Sequence, residues 1–386
     1  MKKIVVIGAN EFQFPLIEKA NELGYETHVF AWEDGAVSKE IADYFYPISI
    51  VEKEIILEKC REIQPDAVMT IASDLANITA QYVARKLGLV CNSEKCVEQT
   101  TNKYAMRQAL KNGGIKTPYF FKVENASELR NQMPNPEYPL IVKPTDRSGS
   151  RGIFKVTDES QLEEAIRCAA EYSFEHKAIV EGYLEGKEYS CECISYQGKH
   201  TLLAITEKYT TGAPSFIERG HIQPSGLSKE VAESVRTTVY NALDVLQVEN
   251  GPSHTEIRIS GKKINIIEIG SRMGGDCIGS HLVQLSTGID FVKATIDVAV
   301  GQEPQIAIPQ NNASGIRFVF DESDLETLSQ IEKCHANQLV HVSALEELYS
   351  RTIVDSGSRL GFYVVNGTNR ENVKELLQLE DDEYIV

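Results

Sequence analysis

Alternating strand and helix patterns over the first hundred residues restrict the fold of this chain more than any other feature. Residues 3–8, KIVVIG, are a short apolar run that ends in glycine, an amphipathic stretch covers 14–23, and 25–32, YETHVFAW, is a second strand pattern. A strand, a helix and a strand at this spacing predict a βαβ unit of the doubly wound type. We therefore expect a Rossmann-like α/β domain over residues 1–100.

The alternation continues and indicates where a ligand would bind. The further strand and helix patterns are 52–63, 66–73, 74–87 and 89–92. Asp74 follows the carboxyl end of its strand, where open α/β sheets bind ligands, although Ser73–Asp74 is equally consistent with a helix N-cap. The first loop keeps Gly8 but lacks the second and third glycines of GxGxxG, which favours a scaffold without a bound dinucleotide.

The rest of the chain is predicted to be α+β and to have two lobes. A helix at 101–115 ends in a glycine pair, and a compact set of strand and helix patterns occupies about 115–185, inside a domain spanning 101–300. The tail, 301–386, has strand patterns of its own, GIRFVF and GFYVV. We expect it to be a C-terminal subdomain that completes the larger lobe.

Residues 138–154, YPLIVKPTDRSGSRGIF, have the composition of a phosphate-binding loop in an unusual order. Lys143 precedes the glycines, whereas the lysine of a Walker loop follows them. Two antiparallel strands joined by this loop would form a flap whose backbone N–H groups can fold over phosphate oxygens. Taken alone, the stretch could also be a plain hairpin with a polar tip.

The formal net charge of −17 limits the kinds of ligand that such a phosphate site could bind. Nucleic-acid affinity depends on lysines and arginines that neutralise phosphates, so no nucleic-acid partner is expected, and an anionic substrate should arrive with a metal ion. No apolar run approaches the roughly 18 residues of a membrane span, and no signal peptide is apparent. The eight cysteines include no CxxC pair and are expected to be reduced, in a cytoplasmic protein.

Two downstream stretches carry groups that suit a nucleotide and its metal. AIVEGYLEGKEYS (178–190) runs from a strand into exposed backbone that could bind an adenine edge, with carboxylates near enough for ribose hydroxyls. Glu256 and Glu268 lie on neighbouring strand patterns separated by a tight turn. Carboxylates that face each other across a hairpin repel unless a cation lies between them, and oxygen ligands suit Mg²⁺. Ion pairs with Arg258 or Arg272 are the alternative.

The chain resembles the ATP-grasp superfamily of carboxylate–amine ligases in the order and spacing of seven elements. These are Lys103, Lys143, the SGSRG loop, Glu181-Gly-Tyr-Leu, Glu188, Glu256 and Glu268-Ile-Gly-Ser-Arg272. The N-terminal α/β region is similar to the pre-ATP-grasp domain of that superfamily. Segments 205–227, 268–276 and 355–367 resemble the branch of L-amino-acid ligases and carbamoyl-phosphate-synthase-like proteins.

The resemblance implies a role for each matching residue. Lys103 and Lys143 would contact ATP phosphates, and the flap residues Ser148, Gly149, Ser150 and Gly152 would close over them. The backbone at Glu181, Tyr183 and Leu184 would hold adenine, and Glu188 would bind ribose. Glu256 and Glu268 would bind Mg²⁺, with Mn²⁺ as a possible substitute. Arg272 would stabilise the acyl phosphate and the tetrahedral intermediate, which makes Arg272, Glu268 and Lys143 the implied catalytic residues.

One position departs from the superfamily pattern, and the substrate residues are less specific. Many members have E-x-N where this chain has Gly270, so water or a bidentate Glu268 would have to complete the metal shell. The substrate candidates are Asp74, His221, His254, Arg272, Gly274 and Gly275. His221 could instead pack in a turn beside Pro224. His254 shares a strand face with Glu256, and the two glycines would let a carboxylate approach backbone N–H groups. Residues 207–216 are either a mobile lid or a surface loop.

The expected function is an ATP-dependent, ADP-forming ligase that joins a small carboxylate, such as an amino acid, to an amine through an acyl phosphate. Small-molecule substrates, no membrane partner and a homodimer are implied with it. Two alternatives stay open: a purine-biosynthesis-type synthetase that uses formate or bicarbonate, and an ATP-binding protein without turnover.

Overall fold

The computed structural model describes residues 2–306 and 310–380, arranged around three β-sheets. Two of the sheets have four strands and the third has eight. One sheet is parallel and the other two are antiparallel, with helices packed on their faces, which confirms the predicted mixture of α/β and α+β units. None of the helices within these two ranges is long and apolar enough to cross a membrane.

The parallel sheet is built from the N-terminal part of the chain. Its strands are β1 (Lys3–Ile7), β2 (Glu26–Phe30), β3 (Tyr44–Tyr46) and β4 (Ala67–Met69), and its helices are α1 (Phe14–Glu22), α2 (Lys53–Ile63) and α3 (Asp74–Leu87). The strand order is β3-β2-β1-β4. β1 pairs in parallel with both β2 and β4, so the predicted βαβ unit is confirmed.

Residues 89–92 are not the strand that their apolar pattern predicted. Asn92 accounts for the difference, because its side-chain oxygen accepts the N–H groups of Glu249 and Asn250 at 2.9 and 3.0 Å, and its side-chain amide donates to the carbonyl of Asn250 at 2.8 Å. These bonds to a distant segment replace a strand ladder. The segment leads into α4 (Glu94–Thr101) and α5 (Lys103–Asn112).

The second four-stranded sheet, called the small sheet below, is antiparallel. It contains β5 (Phe120–Val123), β6 (Leu140–Pro144), β7 (Phe154–Val156) and β8 (Ala178–Gly182), in the order β5-β8-β6-β7. Helices α6 (Ala126–Gln132) and α7 (Leu162–Tyr172) bury their apolar side chains against it. β6 and β7 are the antiparallel pair that the sequence predicted on either side of the glycine loop.

The eight-stranded sheet, called the large sheet below, is antiparallel throughout. It contains β9 (Lys187–Tyr196), β10 (Lys199–Thr210), β11 (Glu218–Gln223), β12 (Gly251–Ser260), β13 (Lys263–Gly270), β14 (Ala313–Phe318), β15 (Leu339–Val342) and β16 (Phe362–Gly367). Its helices are α8 (Lys229–Val245), α9 (Val283–Thr287), α10 (Phe291–Ala299), α11 (Glu322–Cys334) and α12 (Arg370–Leu377). The order β13-β12-β9-β10-β11-β14-β16-β15 places the three tail strands in the same sheet as the rest.

The first four residues of the predicted lid at 207–216 are strand and the other six are loop. Residues 207–210 are the end of β10 and pair with β11, so that only 211–217 form a loop between the two strands. The loop is therefore the tip of a hairpin of the large sheet, and its base has no freedom to move independently of that sheet.

Candidate active site

A cavity lies between the small sheet and one face of the large sheet, and we call it the central cavity. Its walls include most of the residues that the sequence assigned to a nucleotide and its metal: Lys103, Lys143, Ser148, Gly149, Ser150, Glu181, Tyr183, Leu184, Glu188, Glu256, Glu268 and Arg272. Its free volume is about 140 Å³, below the roughly 300–1,000 Å³ of most ligand pockets. A nucleotide can therefore enter only when one wall moves outward.

A buried ion cluster forms part of the wall of the central cavity. Arg107 on α5 is fully buried and donates to both carboxylate oxygens of Glu181, at 2.5 and 3.3 Å, while Lys143 Nζ lies 2.8 Å from Glu181 Oε2. Burial alone would raise the pKa of Glu181, but the charges of Arg107 and Lys143 outweigh it and lower the pKa to about 2. The ionised carboxylate therefore holds Lys143 in place on β6.

Glu256 and Glu268 are direct partners across the β12–β13 hairpin, as the strand patterns predicted. Lysines contact them, and not the arginines that the sequence offered as the alternative. Lys103 Nζ lies 2.8 Å from Glu268 Oε1, and Lys208 Nζ lies 2.5 Å from Glu256 Oε1. Burial would raise the pKa of Glu256, but the charge of Lys208 lowers it well below its usual range. The two lysines therefore offset the repulsion between the carboxylates.

Lys208 was not singled out from the sequence, yet it is central to this charge arrangement. Its ammonium also lies 3.1 Å from Glu188 Oε1 and 3.7 Å from Glu218 Oε1. Burial would lower its pKa, but the surrounding carboxylates raise it well above the ordinary value. The available signal was a lysine within the strand-like stretch ITEKYT, where lysine is uncommon.

His254 shares a face of β12 with Glu256, as strand alternation predicted, and its Nε2 lies 3.5 Å from Glu256 Oε1. Its Nδ1 contacts Glu192 on β9, and the other oxygen of Glu192 accepts the Gly274 N–H at 3.0 Å. Burial would lower the pKa of His254, but Glu192 raises it to about 9. The N–H of Gly274 is thus already bonded, which argues against the predicted contact with a substrate carboxylate.

Arg272 and Asp74 form a bidentate ion pair, which links the start of α3 to the segment that follows β13. Arg272 Nε and Nη2 donate to the two carboxylate oxygens of Asp74 at 2.8 and 2.9 Å. Burial would raise the pKa of Asp74, but Arg272 lowers it. The N-cap of α3 is Ser73, whose hydroxyl accepts the Ala76 N–H, so the carboxylate of Asp74 is not used as a cap.

Gly270 provides the space for this ion pair. A Cβ added at Gly270 would lie 3.0 Å from Asp74 Oδ1 and 3.3 Å from Arg272 Nε. An asparagine side chain, usual at this position in many ATP-grasp proteins, would therefore collide with the pair. In this chain the space of the usual asparagine side chain is filled by Asp74, the first residue of α3 in the N-terminal part of the chain.

The glycine loop between β6 and β7 is attached at its tip to two other segments. Ser150 Oγ donates to the carbonyl of Phe216 at 3.0 Å, and the Ser356 N–H donates to the carbonyl of Gly149 at 3.3 Å. Arg151 Nε lies 3.4 Å from Asp355 Oδ2. The loop thus lies closed over the central cavity, held by the β10–β11 hairpin tip and by the tail segment 355–361.

We expect Asp355→Asn to loosen this closed loop. Removing the charge opposite Arg151 eliminates an ion pair near the surface, for which about 0.2–1 kcal/mol is typical. Trypsin cleavage after Arg151 should therefore become about 1.4- to 5-fold faster, measured by limited proteolysis and mass spectrometry. Asp158→Asn, on an exposed cap in the same lobe, is the control. Equal cleavage rates in wild type and Asp355→Asn would contradict the attachment.

Among the predicted site residues, His221, Gly275 and Gly152 do not line the central cavity. His221 is fully buried on β11, with Nε2 3.4 Å from Asp276 Oδ2, so it is neither a cavity residue nor the predicted turn histidine. Gly275 does not line the cavity, and a Cβ there would be 3.6 Å from the Ala72 carbonyl. Gly152 packs against Tyr172, 2.8 Å from an added Cβ, and supports the loop from behind.

Part of the backbone predicted to hold adenine already forms hydrogen bonds within the protein. The N–H of Tyr183 donates to the Pro139 carbonyl at 3.2 Å, and the Leu184 carbonyl accepts from Arg258 at 2.8 Å. Within residues 2–306 and 310–380, the Leu184 N–H has no hydrogen-bond partner. The backbone N–H of Leu184 is therefore available to donate a hydrogen bond to the edge of a base.

Glu256 and Glu268 fit a divalent cation only together with another ligand. No group of three or more His, Cys, Asp and Glu side chains in the described part of the chain is arranged to hold a metal ion. Mg²⁺ in nucleotide sites is typically bound by one or two carboxylates, substrate phosphates and water. The two facing carboxylates provide the protein's share of that ligand set, and the two lysines lie beside them.

The two lobes with a phosphate-loop cavity between them define the ATP-grasp class of fold. Residues 136–280 match the ATP-grasp domain family. The structure superposes on L-amino acid ligase from Bacillus licheniformis with a TM-score of 0.81, at 24% identity, over 98% of this chain and 98% of that one. Residues 136–280 therefore match an ATP-grasp domain, the whole chain shares the fold of L-amino acid ligase, and the predicted resemblance is confirmed.

Curated relatives come from more than one branch. Formate-dependent phosphoribosylglycinamide formyltransferase of Prochlorococcus marinus is 27% identical over 374 residues, 93% of this chain and 91% of that protein. Alanine–anticapsin ligase of Bacillus subtilis is 25% identical over 294 residues, 67% of this chain and 62% of that protein. The matched regions span less than two thirds of the length of the first curated relatives found.

Proposed function

We propose that this protein is an ATP-dependent, ADP-forming ligase that activates a small carboxylate as an acyl phosphate and transfers the acyl group to an amine. The observation that carries the proposal is the meeting of Lys103, Lys143, Glu256 and Glu268 in one cavity, although they come from four separate segments. Cations for phosphates and facing carboxylates for a metal are the parts that phosphoryl transfer requires.

The nucleotide would occupy the central cavity with its phosphates beneath the glycine loop. Lys143, held by Glu181, and Lys103, 2.8 Å from Glu268, are the buried cations that would meet the phosphates. Glu188 would accept ribose hydroxyls, and Leu184 N–H would bind the adenine edge. Because the loop closes the cavity, it would also exclude water, which otherwise hydrolyses an acyl phosphate.

Glu256 and Glu268 would hold Mg²⁺ together with the phosphates. The ion would neutralise charge on the phosphate oxygens during transfer. Lys208 and Lys103, which now neutralise the two carboxylates, would then be available to phosphate oxygens. The protein's own contribution is to place the two carboxylates on neighbouring strands, each beside a lysine, before the nucleotide arrives.

The chemistry has two balanced steps. A carboxylate oxygen of the acid bonds to the γ-phosphorus, the bond from that phosphorus to the bridging oxygen of ADP breaks, and ADP leaves with the electron pair. The amine nitrogen then bonds to the acyl carbon, phosphate leaves, and the amine loses a proton. Arg272, fixed by Asp74, would stabilise negative charge on the acyl oxygens in both steps.

The principal alternative is a purine-type synthetase that activates formate or bicarbonate. The 27% identity to a formate-dependent formyltransferase over 93% of this chain favours it. The same cavity and the same first step would serve either activity, so the identity of the acid is the point of difference. The homodimer is part of the proposal by analogy, and sedimentation at several concentrations would test it.

Hydroxylamine trapping tests the proposal, because hydroxylamine converts acyl phosphates into hydroxamates, whose ferric complexes are coloured. We expect ATP- and Mg²⁺-dependent hydroxamate formation from one class of small carboxylates, with ADP released in equal amount. Formohydroxamate with formate, or ADP release stimulated by bicarbonate alone, would support the purine-type synthetase. Tight ATP binding without ADP from any acid would refute both enzyme functions. Reactions without ATP and without acid are the controls.

A further inference from the structure

A second cavity adjoins the central one at its phosphate end. It has a volume of about 410 Å³ and lies between the start of α3, the α4–α5 junction and the glycine loop. Four residues line both cavities: Arg147, Ser148, Arg151 and Glu268. A molecule in the second cavity would therefore reach the phosphoryl-transfer position from the side that the nucleotide does not occupy.

The side chain of Arg147 lies at this junction beside Phe174. Its guanidinium carbon lies 4.2 Å from the ring centre of Phe174, and its Nε is buried without a hydrogen-bond partner. In residues 2–306 and 310–380 no carboxylate pairs with Arg147, which contrasts with Arg151, paired with Asp355. A buried guanidinium N–H without an acceptor costs stability, so the arrangement is one that a planar anion would complete.

Of the five carboxylates around the second cavity, those of Asp74, Asp146, Glu175 and Glu268 are bonded to groups other than Arg147, and Glu98 is exposed. Asp74 pairs with Arg272, and Glu268 pairs with Lys103. Asp146 accepts the N–H groups of Phe174 and Glu175 at 3.1 and 3.0 Å. These bonds fix the start of the glycine loop to the 173–177 segment. Arg147 is therefore on the anchored part of the loop, and its position does not depend on closure of the tip.

Arg147 is also tied to the nucleotide side through its backbone. Its carbonyl accepts from Lys103 Nζ at 2.5 Å, and the same Lys103 contacts Glu268. The backbone of Arg147 thus contacts a lysine that the proposed function assigns to phosphate. Arg147 would then contact an anion in the second cavity through its side chain, and its carbonyl would stay bonded to Lys103 at the phosphate end of the central cavity.

We infer that the second cavity binds the amine substrate, and that this substrate carries a carboxylate of its own, which Arg147 binds with two N–H groups. The inference rests on the proposed function. The acyl phosphate forms where the two cavities meet, and the amine must approach it from outside the volume filled by ATP. A guanidinium matches a carboxylate with two parallel hydrogen bonds, and stacking on Phe174 fixes its plane. The bond changes are those of the second step above, and the carboxylate on Arg147 takes no part in them.

The test compares an amino acid as acceptor with its amide, which has the same amine but no carboxylate. For the acid identified by hydroxylamine trapping, kcat/KM is measured with both acceptors in wild type, Arg147→Gln, Arg147→Lys and Arg151→Gln. Loss of a hydrogen bond to a charged group corresponds to about 10- to 100-fold in such a ratio. We expect wild type to prefer the amino acid by about this factor, Arg147→Gln to lose the preference, and Arg147→Lys to keep part of it.

Arg151→Gln is the matched control, because Arg151 lines the same two cavities but already has a partner. It should leave the preference for the amino acid within about twofold of wild type. An unchanged preference in Arg147→Gln would overturn the inference, as would a raised KM for ATP with the preference intact, which would make Arg147 a phosphate ligand. Absence of hydroxamate in wild type with every acid would instead refute the proposed function itself.

Discussion

Replacing Glu268 with glutamine should lower acid-dependent ADP formation by about 100-fold or more, in the range typical for losing one electrostatic group from an active site. Glutamine keeps the shape of the side chain but removes the charge that faces Glu256 and contacts Lys103 at 2.8 Å. The Mg²⁺ site would lose one of its two carboxylates, and Lys103 would lose its partner. Coupled measurement of ADP release at saturating Mg²⁺ is the appropriate assay.

Glu185→Gln is the control for this experiment, because Glu185 is exposed and does not line the central cavity. It should retain nearly the full rate. Thermal unfolding of both variants, followed by circular dichroism, separates a catalytic loss from a folding defect. Near-normal ADP formation by a folded Glu268→Gln protein would contradict the metal assignment.

Replacing Arg107 with methionine should produce the largest loss of stability. Arg107 is fully buried, pairs with Glu181 and donates to the carbonyls of Ile266 and Ile267 at 3.0 and 2.9 Å. Methionine leaves a buried carboxylate with Lys143 alone and leaves two carbonyls without that donor. Breaking one partner out of a buried ion pair typically costs about 3–5 kcal/mol. The free energy of unfolding, from urea titration followed by circular dichroism, should fall by about this amount.

Arg61→Met provides the comparison, because Arg61 pairs with Glu58 on the exposed face of α2. A surface pair of this kind contributes little, and the midpoint of its urea transition should stay close to that of wild type. If the two variants unfolded at the same urea concentration, the cluster around Glu181 would not be a stabilising part of the site.

Local sequence patterns were sufficient to predict the features that depend on one strand or one turn. The facing of Glu256 and Glu268 followed from alternation along two strands and the short turn between them. The position of Lys143 at the end of β6, ahead of a glycine loop, followed from the apolar run LIVK. Domain boundaries and the homodimer stay predictions, and so does the chemical role of each site residue.

The sequence did not indicate the partners that hold these residues in place. Lys208 appeared to belong to a lid, because Gly212 and Pro214 follow it closely, yet it lies on β10 among three carboxylates. Arg107 appeared as one more polar residue of a helix, yet it is fully buried against Glu181. In both cases the environment of the side chain is set by charged residues far away along the chain.

By itself, the sequence determined the alternation of strands and helices, the place of the glycine loop after Lys143, and the two carboxylates on neighbouring strands. These features depend on periodicity and on turns, which are properties of contiguous residues. Only the tertiary structure decided that Asp74 meets Arg272, 198 positions later in the chain, and that Gly270 is small because that pair fills its space. Within the described residues, it also left the Arg147 guanidinium without a carboxylate partner between two cavities. Such pairings depend on how separately folded elements dock, and no local pattern encodes a contact between distant side chains.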